Sequence, residues 1–543
     1  MKNPNRFDLK RLRLDHVIQR FFGANALIAI VVLGLITYFL FQEGSGFFPQ
    51  NLKNLQVYRL AGLEYVGFMR DQVEGHTVLN RSLLDLRLRQ SNALLKSGKT
   101  PEAVTSALAK FDRFAEDFDN SVGDLRGVVS DLTESVSAIK EKAKIREDAL
   151  EQRAFLLKAG KQTQADAVKV AQIDFARELA PVKAAFPLYQ KTSLEFRGKV
   201  ETLLLQPPTL PVREMQPRFD QFQKAARAYL GAFPATERKL KEWNQLEPVP
   251  WYRALTSFLF GTEWITNSFW QDWYGVLPLL TGSLMVAAIA LVIAVPFGVC
   301  AAIYVSELAH PLEQRIIKPY IEFISAIPSV VLGFFGIAVL GQSLREASTG
   351  SLHWIPFIPW DAAPFRALEH AFAWGVSFIP GLPMTERLNA FTAGCLLALM
   401  SIPTIFSLSE DAINSVPRAF KEASYALGAT RLQTLFRILV PASLSGIISA
   451  VLLGFGRVMG ETMVVLLCAG NRISIPDFSQ GLSTLFQPVH TMTGIVAQEL
   501  GEVSNGTIHY RALFMVGLLL FLLSLLINWL AQAIVRRFKI SIG

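Results

Sequence analysis

The chain has 543 residues, 51% of them hydrophobic and only 18% charged, a balance too apolar for a soluble protein of this size and fitting an integral membrane protein with a substantial soluble part. The net charge of +8 does not point to nucleic acid, because the basic residues crowd the first twenty positions, short loops and the C-terminal end beside apolar runs, where they set membrane orientation. Cys300, Cys395 and Cys468 all lie in apolar runs, and the seven histidines (16, 76, 310, 353, 370, 490, 509) lack any HExxH-like spacing, which argues against disulfide frameworks, redox chemistry and metal sites.

A membrane span needs about 20 mostly apolar residues. Six windows meet this: roughly 22–42, 276–305, 317–341, 388–408, 439–469 and 511–534. Residues 1–21 form a basic tail with Lys2, Arg6, Lys10, Arg11, Arg13 and Arg20, too charged and too long for a cleaved signal peptide, so 22–43 reads as a retained anchor. Alternating from a cytoplasmic N-terminus places the loops 306–316 and 409–438 and the C-terminal Arg536, Arg537 and Lys539 inside, as the positive-inside rule asks. Residues 44–270 then lie outside the cytoplasm, and 271–543 carry the remaining five spans.

The outer block is rich in helix formers. Val122, Leu125, Val129, Leu132, Val136 and Ile139 alternate spacings of three and four, and Phe111, Phe114 and Phe118 continue the pattern upstream, which predicts a long helix packed in an antiparallel hairpin or bundle. Gln206-Pro-Pro-Thr-Leu-Pro211 interrupts it, and a shorter helix follows over about 213–243. Ser97-Gly98-Lys99-Thr100 imitates the end of a phosphate-binding P-loop, but the position five before Gly98 is Ala93 and a helix precedes it. Helix punctuation accounts for it: Gly98 closes one helix, Thr100 caps the next and Pro101 takes its first position. Trp251, Trp264, Trp270 and Trp273 fit either the membrane interface or the core of the outer domain. The loop near 342–386, with Trp354 and Trp360, reads as an irregular outer cap.

Between the fourth and fifth windows lies Lys421-Glu-Ala-Ser-Tyr-Ala-Leu-Gly-Ala-Thr-Arg-Leu-Gln-Thr-Leu-Phe-Arg-Ile-Leu-Val-Pro441. Glu422 is expected to begin a short amphipathic helix that Gly428 breaks, with a second helix running into the membrane, so that a helical knob projects toward a soluble partner. The stretch resembles the EAA loop of type I ABC importer permeases: Glu422, Ala423, Gly428, Ile438 and Pro441 fall at the matching positions, with Ser424 and Val440 as departures. Ser325-Ala-Ile-Pro-Ser-Val-Val-Leu-Gly333, Ser401-Ile-Pro-Thr404 with Ser409-Glu-Asp411, Gly456-Arg-Val-Met-Gly-Glu-Thr-Met463 and the stretch from Gly494 to Leu513 are similar to the PstC-type permeases of phosphate ABC importers. The resemblance covers the first anchor and about 265 residues after position 275, leaving the outer helical block without a counterpart.

That resemblance implies an all-α membrane protein with six transmembrane helices of the type I ABC importer permease fold, and the outer block, read as α-helical from its periodicity, is then a domain inserted between the first two. It implies a PstA-like second permease, an ATPase homodimer docked on the EAA loop and an extracytoplasmic phosphate-binding protein. The chain itself binds no cofactor and catalyses no covalent step, ATP and Mg being held by the ATPase. Read as one helix, the fifth window puts Arg457 and Glu461 on one face, four residues apart and within reach of each other. Charges inside a span are costly and face a bundle interior or a watery cavity. Arg offers phosphate paired donors, while Glu461 neutralises and orients that Arg; a purely structural ion pair is the alternative. Gly454, Gly456 and Gly460 thin the same helix for close packing or for a substrate. Ser329 and Thr404, beside Pro328 and Pro403, join the candidate path where interrupted helices expose backbone groups, or act as helix caps. Another oxyanion such as sulfate or molybdate, or a transporter-linked sensor using the outer domain, are the competing functions.

Overall fold

The computed structural model describes residues 5–266, 268, 270–353, 362–377 and 384–538. Lys2, Trp354, Trp360 and Lys539 lie outside the described residues. The chain forms two compact units, one of Met1–Gln50, Ala254–Thr266 and Trp273–Gly543, the other of Asn51–Arg253 and Asn267–Asp272. Helix α1 (Asn5–Ser45) opens the first unit and packs along the last helix of the chain.

The second unit is a bundle of long helices: α2 (Leu63–Lys96), α3 (Pro101–Asn120), α4 (Gly123–Lys158), α5 (Phe186–Leu205) and α6 (Gln216–Glu242). The three-four spacing read from Val122 to Ile139 is its buried seam. Phe111, Phe114 and Phe118 of α3 meet Phe219 and Phe222 of α6 mostly edge to face, Phe118 lying 5.3 Å from Phe222 at 74°. Each such burial contributes about 1.5–3 kcal/mol, so the helices close into one bundle instead of an extended arm. Gly98 adopts a left-handed φ of 84°, and Thr100 accepts from the Ala103 N–H at 3.4 Å with Pro101 behind it. Trp270 is buried in this unit with Arg70 over its ring at 5.0 Å, whereas Trp251 is exposed and Trp264 is buried in the other unit, so the four tryptophans have no common role.

Glu64 and His76 are ionisable groups within the bundle. Glu64 accepts from Arg59 Nε at 2.6 Å and Trp243 Nε1 at 3.0 Å; burial pushes its carboxyl up, but these donors more than offset that and hold it below the ordinary value. His76 stacks on Phe118 at 4.5 Å and donates from Nε2 to the Phe118 carbonyl at 2.9 Å, and burial lowers its pKa.

The first unit continues with a short hairpin, β1 (Trp264–Ile265) and β2 (Trp273–Tyr274), paired Trp264 to Tyr274. Then follow α7 (Leu277–Ile303), α8 (Pro311–Ser325), α9 (Ser329–Phe335), α10 (Ala390–Asn414), α11 (Arg418–Ala426), α12 (Val440–Gly460), α13 (Met463–Cys468), α14 (Met492–Glu499) and α15 (Ile508–Phe538). Six helices among the described residues are long and apolar enough to cross a membrane: Gln19–Leu60, Leu277–Leu308, Ser329–Ser348, Ala390–Asn414, Arg431–Gly460 and Ile508–Ile534. α10 is central, packing against both α7 and α12. Ile405 is the wedge: a Cβ on Gly298 of α7 would lie 2.9 Å from its Cγ2, and one on Gly454 of α12 would lie 2.8 Å from its Cγ1.

Two windows are corrected. The third, read as 317–341, divides into α8, which buries none of its residues and carries Lys318 and Glu322, and a span that starts only at Ser329. Pro328 disfavours helix at Ile327 and cannot donate a helical hydrogen bond, so the chain restarts there. The fifth, read as unbroken over 439–469, ends as a helix at Gly460 and restarts at Met463. Pro403, expected to interrupt its span, sits inside continuous α10.

Candidate functional site

The break in the fifth span changes the geometry of the two charges. Arg457 is in the last turn of α12, but Glu461 is its C-cap in an extended conformation (φ −73°, ψ 133°). They do not share a helical face, and no ion pair or hydrogen bond joins them among the described residues. Arg457 Nη1 instead donates to Thr404 Oγ1 at 3.3 Å, across to α10. The wedge of Ile405 between Gly298 and Gly454 fixes α10 against α12 and thereby brings Thr404 within reach.

Of the two settings expected for a charge in a span, bundle interior or watery cavity, the single chain does not give Arg457 the first: it is exposed, while Glu461 is half-buried. The neighbouring glycines divide the expected duties. A Cβ on Gly454 meets Ile405, which is close packing, whereas nothing lies within 4 Å of a Cβ on Gly456 or Gly460, which leaves open space beside Arg457. Ser329 begins α9, and that helix packs on α13, with Cys468 Sγ 3.3 Å from the Gly333 carbonyl. No hydrogen bond links Ser329 to Arg457, Glu461 or Thr404 among the described residues.

A side chain that the sequence reading passed over closes the break. Thr493, on α14, donates its hydroxyl to the Glu461 backbone carbonyl at 2.8 Å. The signal was present as Thr491-Met-Thr-Gly494, an N-cap spacing in which Thr491 Oγ1 accepts from the Gly494 N–H at 3.1 Å.

On the other side of the fold, α11 begins at Arg418 behind Pro417, four residues before Glu422, so Glu422 lies mid-helix and does not start it. Gly428 takes a left-handed φ of 79° with nothing near its would-be Cβ, and the helix then resumes at Arg431 behind a Thr430–Gln433 capping box. Through a turn at Leu435–Leu439, which holds Ile438, it runs into α12 with Pro441 in its first turn. Glu422 and Ala423 are exposed, and Leu427 is 89% exposed beside exposed Tyr425, Leu432 and Phe436. Exposed apolar groups clustered in this way mark an interaction surface. Ser424, the departure from the expected pattern, is buried and shares a 2.8 Å hydrogen bond with Thr434, tying the knob to the base of the span. Lys421 forms an ion pair with Glu307 at the end of the second span, and Lys318 of α8 forms one with Glu410 of α10.

Residues 294–540 match the model of a family described as binding-protein-dependent transport system inner membrane component. A probable ABC transporter permease protein, YqgH, of Bacillus subtilis (strain 168) is 32% identical over 297 residues, 53% of this chain and 83% of that relative. The phosphate transport system permease protein PstC of Haemophilus influenzae is 33% identical over 287 residues, 52% of this chain and 84% of that relative. The chain belongs to the binding-protein-dependent transport permeases. Among solved structures, the MetNI methionine ABC transporter in inward-facing conformations is 18% identical, covering 49% of this chain and 94% of that chain at a TM-score of 0.31.

As a permease of this family the chain is a multi-pass inner-membrane protein and not an enzyme; the ATPase is a separate subunit, and a substrate-binding protein belongs to the system. The family match begins at 294, within α7, so the helical bundle lies outside it.

Proposed function

We propose that this permease carries phosphate as part of an ATP-driven importer, with Arg457 as the group that replaces the anion's lost water. The observation that carries the reading is a cation on an open face of a span, beside the space left by Gly456 and Gly460. Against lipid such a charge is costly, so this face belongs against protein around a polar path. The guanidinium offers two oxygens a planar pair of donors and stays protonated throughout, while Thr404 steadies it from α10. Glu461, set apart by the break, is close in sequence without pairing with Arg457 in this state; it balances that charge between passages and accepts a hydrogen bond from a protonated phosphate oxygen. Ser329, at the start of α9, is the remaining candidate of the path. Relatives that carry the name of phosphate permease support this substrate.

In this reading a PstA-like permease covers the Arg457 face of α12, and an ATPase homodimer, holding ATP and Mg, receives the tip formed by Glu422, Ala423 and Leu427. A phosphate-binding protein delivers from outside. Both termini are cytoplasmic, and residues 44–270 are extracytoplasmic.

The test is uptake of radiolabelled phosphate by the assembled transporter with Arg457→Gln and Arg457→Lys. Loss of a charged hydrogen-bonding partner should cut uptake roughly 10- to 100-fold, more for Gln than for Lys, and unlabelled phosphate should compete better than sulfate or molybdate. Normal uptake by a normally assembled Arg457→Gln complex rejects the path, and stronger competition by sulfate or molybdate rejects the substrate.

A further inference from the structure

The break that separates Arg457 from Glu461 contains no proline, so something other than covalent geometry keeps the chain from continuing as helix. At Glu461 the backbone is extended, its N–H reaches back to the Val458 carbonyl at 3.2 Å, and helix resumes two residues later. Its own carbonyl has no partner in the α12–α13 ladder. In a membrane interior an unpaired carbonyl costs several kcal/mol, so whatever satisfies it holds the break. The Thr493 hydroxyl does so at 2.8 Å.

The hydrogen-bond directions around Thr493 are fixed by elimination. A carbonyl only accepts, so the single Thr493 proton is committed to Glu461. Thr491 Oγ1, 3.3 Å away, must then donate to Thr493, and it accepts in turn from the Gly494 N–H at 3.1 Å. The turn that carries Thr493 is itself pinned: the Met492 N–H donates to Ser283 Oγ of α7 at 2.9 Å, and the Thr491 N–H to His490 Nδ1 at 2.9 Å. With these donors engaged, the start of α14 is not arranged to bind an anion. It is arranged to present one hydroxyl to one carbonyl, with α7 as the fixed support.

We propose that Thr493 is a positioning residue for transport: by holding the Glu461 peptide in its extended turn it sets where the Glu461 carboxylate stands relative to Arg457. The proposal rests on the reading of Arg457 and Glu461 as the phosphate path. Substitution by valine keeps the shape and removes the hydroxyl, leaving the carbonyl free to draw the chain back toward helix.

The experiment is uptake of radiolabelled inorganic phosphate by the full transporter, with its partners, for Thr493→Val, Thr493→Ser, Glu461→Gln and the Thr493→Val/Glu461→Gln pair, each recovered with its ATPase as the check on assembly. Thr493→Val should lower the maximal uptake rate roughly 5- to 50-fold, and Thr493→Ser should stay within about twofold. Because Thr493 acts through Glu461, Thr493→Val should add less than about twofold to Glu461→Gln, a non-additivity that a general packing defect would not give. If Thr493→Val does not assemble, Thr493→Ala takes its place in both arms. Full activity of the hydroxyl-free variant beside an impaired Glu461→Gln overturns the proposal alone, as does a loss that multiplies undiminished on Glu461→Gln. A harmless Glu461→Gln overturns it together with the role of Glu461 in the path.

Discussion

Gly454 and Gly456 stand two residues apart on α12, and their surroundings assign them opposite sensitivities. A Cβ at 454 already falls 2.8 Å from Ile405 Cγ1, and Ile405 is fully buried between two helices and adjacent to Thr404, the partner of Arg457. Gly454→Val should therefore destabilise the chain by about 1–3 kcal/mol through overpacking, read as a lower melting temperature of the detergent-solubilised protein. At 456 an added Cβ meets nothing within 4 Å, so Gly456→Val should leave melting within about 0.5 kcal/mol of the parent. It should nevertheless slow phosphate uptake, because the branched side chain occupies the space beside Arg457. Equal effects of both substitutions on melting would contradict this division.

Among the elements, α11 is the one proposed to connect to the energy source, and it is fastened at two places of different chemistry. The Ser424–Thr434 pair fixes it to the fifth span, and Lys421–Glu307 fixes it to the end of the second, with the Glu307 side chain only 11% exposed. Lys421→Glu brings two carboxylates together at a site with little water, so uptake should fall roughly tenfold while ATP hydrolysis by the partner continues. Adding Glu307→Lys should restore most of the loss, since the pair is re-formed with reversed sign; failure of the swap while both proteins assemble would remove the pair from the coupling route. The helix break at Gly428 and the run into the span were legible in the sequence because their signals are local, whereas the start of α11 at Arg418 and the Thr430 cap were not read from it. The membrane breaks were less legible. Hydropathy windows record apolarity, and Gly460-Glu461-Thr462 interrupts a helix without leaving an apolar run. Proline was an uneven guide, since Pro328 opens a helix while Pro296 and Pro403 lie inside continuous ones. What decides Glu461 is the Thr493 hydroxyl, 32 residues away in sequence, and no local pattern reports such a contact.

At the scale of the molecule, the bundle has its own core and its own titrating groups, and acid should loosen it through them. His76 is fully buried and neutral in the fold, with burial lowering its pKa, whereas in the unfolded chain it titrates near the ordinary value of about 6.5. Below that value the unfolded state binds the extra proton first, so bundle stability is complete above it and declines as pH falls. One such group gives a slope of at most about 1.4 kcal/mol per pH unit. Glu64 acts in the same direction later: its carboxyl is held low, so its contribution is lost only as pH falls through the carboxylate range. Hydrogen exchange of the full chain, corrected for the intrinsic pH dependence, should show protection of α3 and α6 falling between pH 7 and pH 5. His76→Phe keeps a ring against Phe118 and removes the titration, so it should flatten the decline even though it gives up the hydrogen bond to the Phe118 carbonyl. A decline that persists unchanged in His76→Phe would assign the acid sensitivity to another group in the bundle.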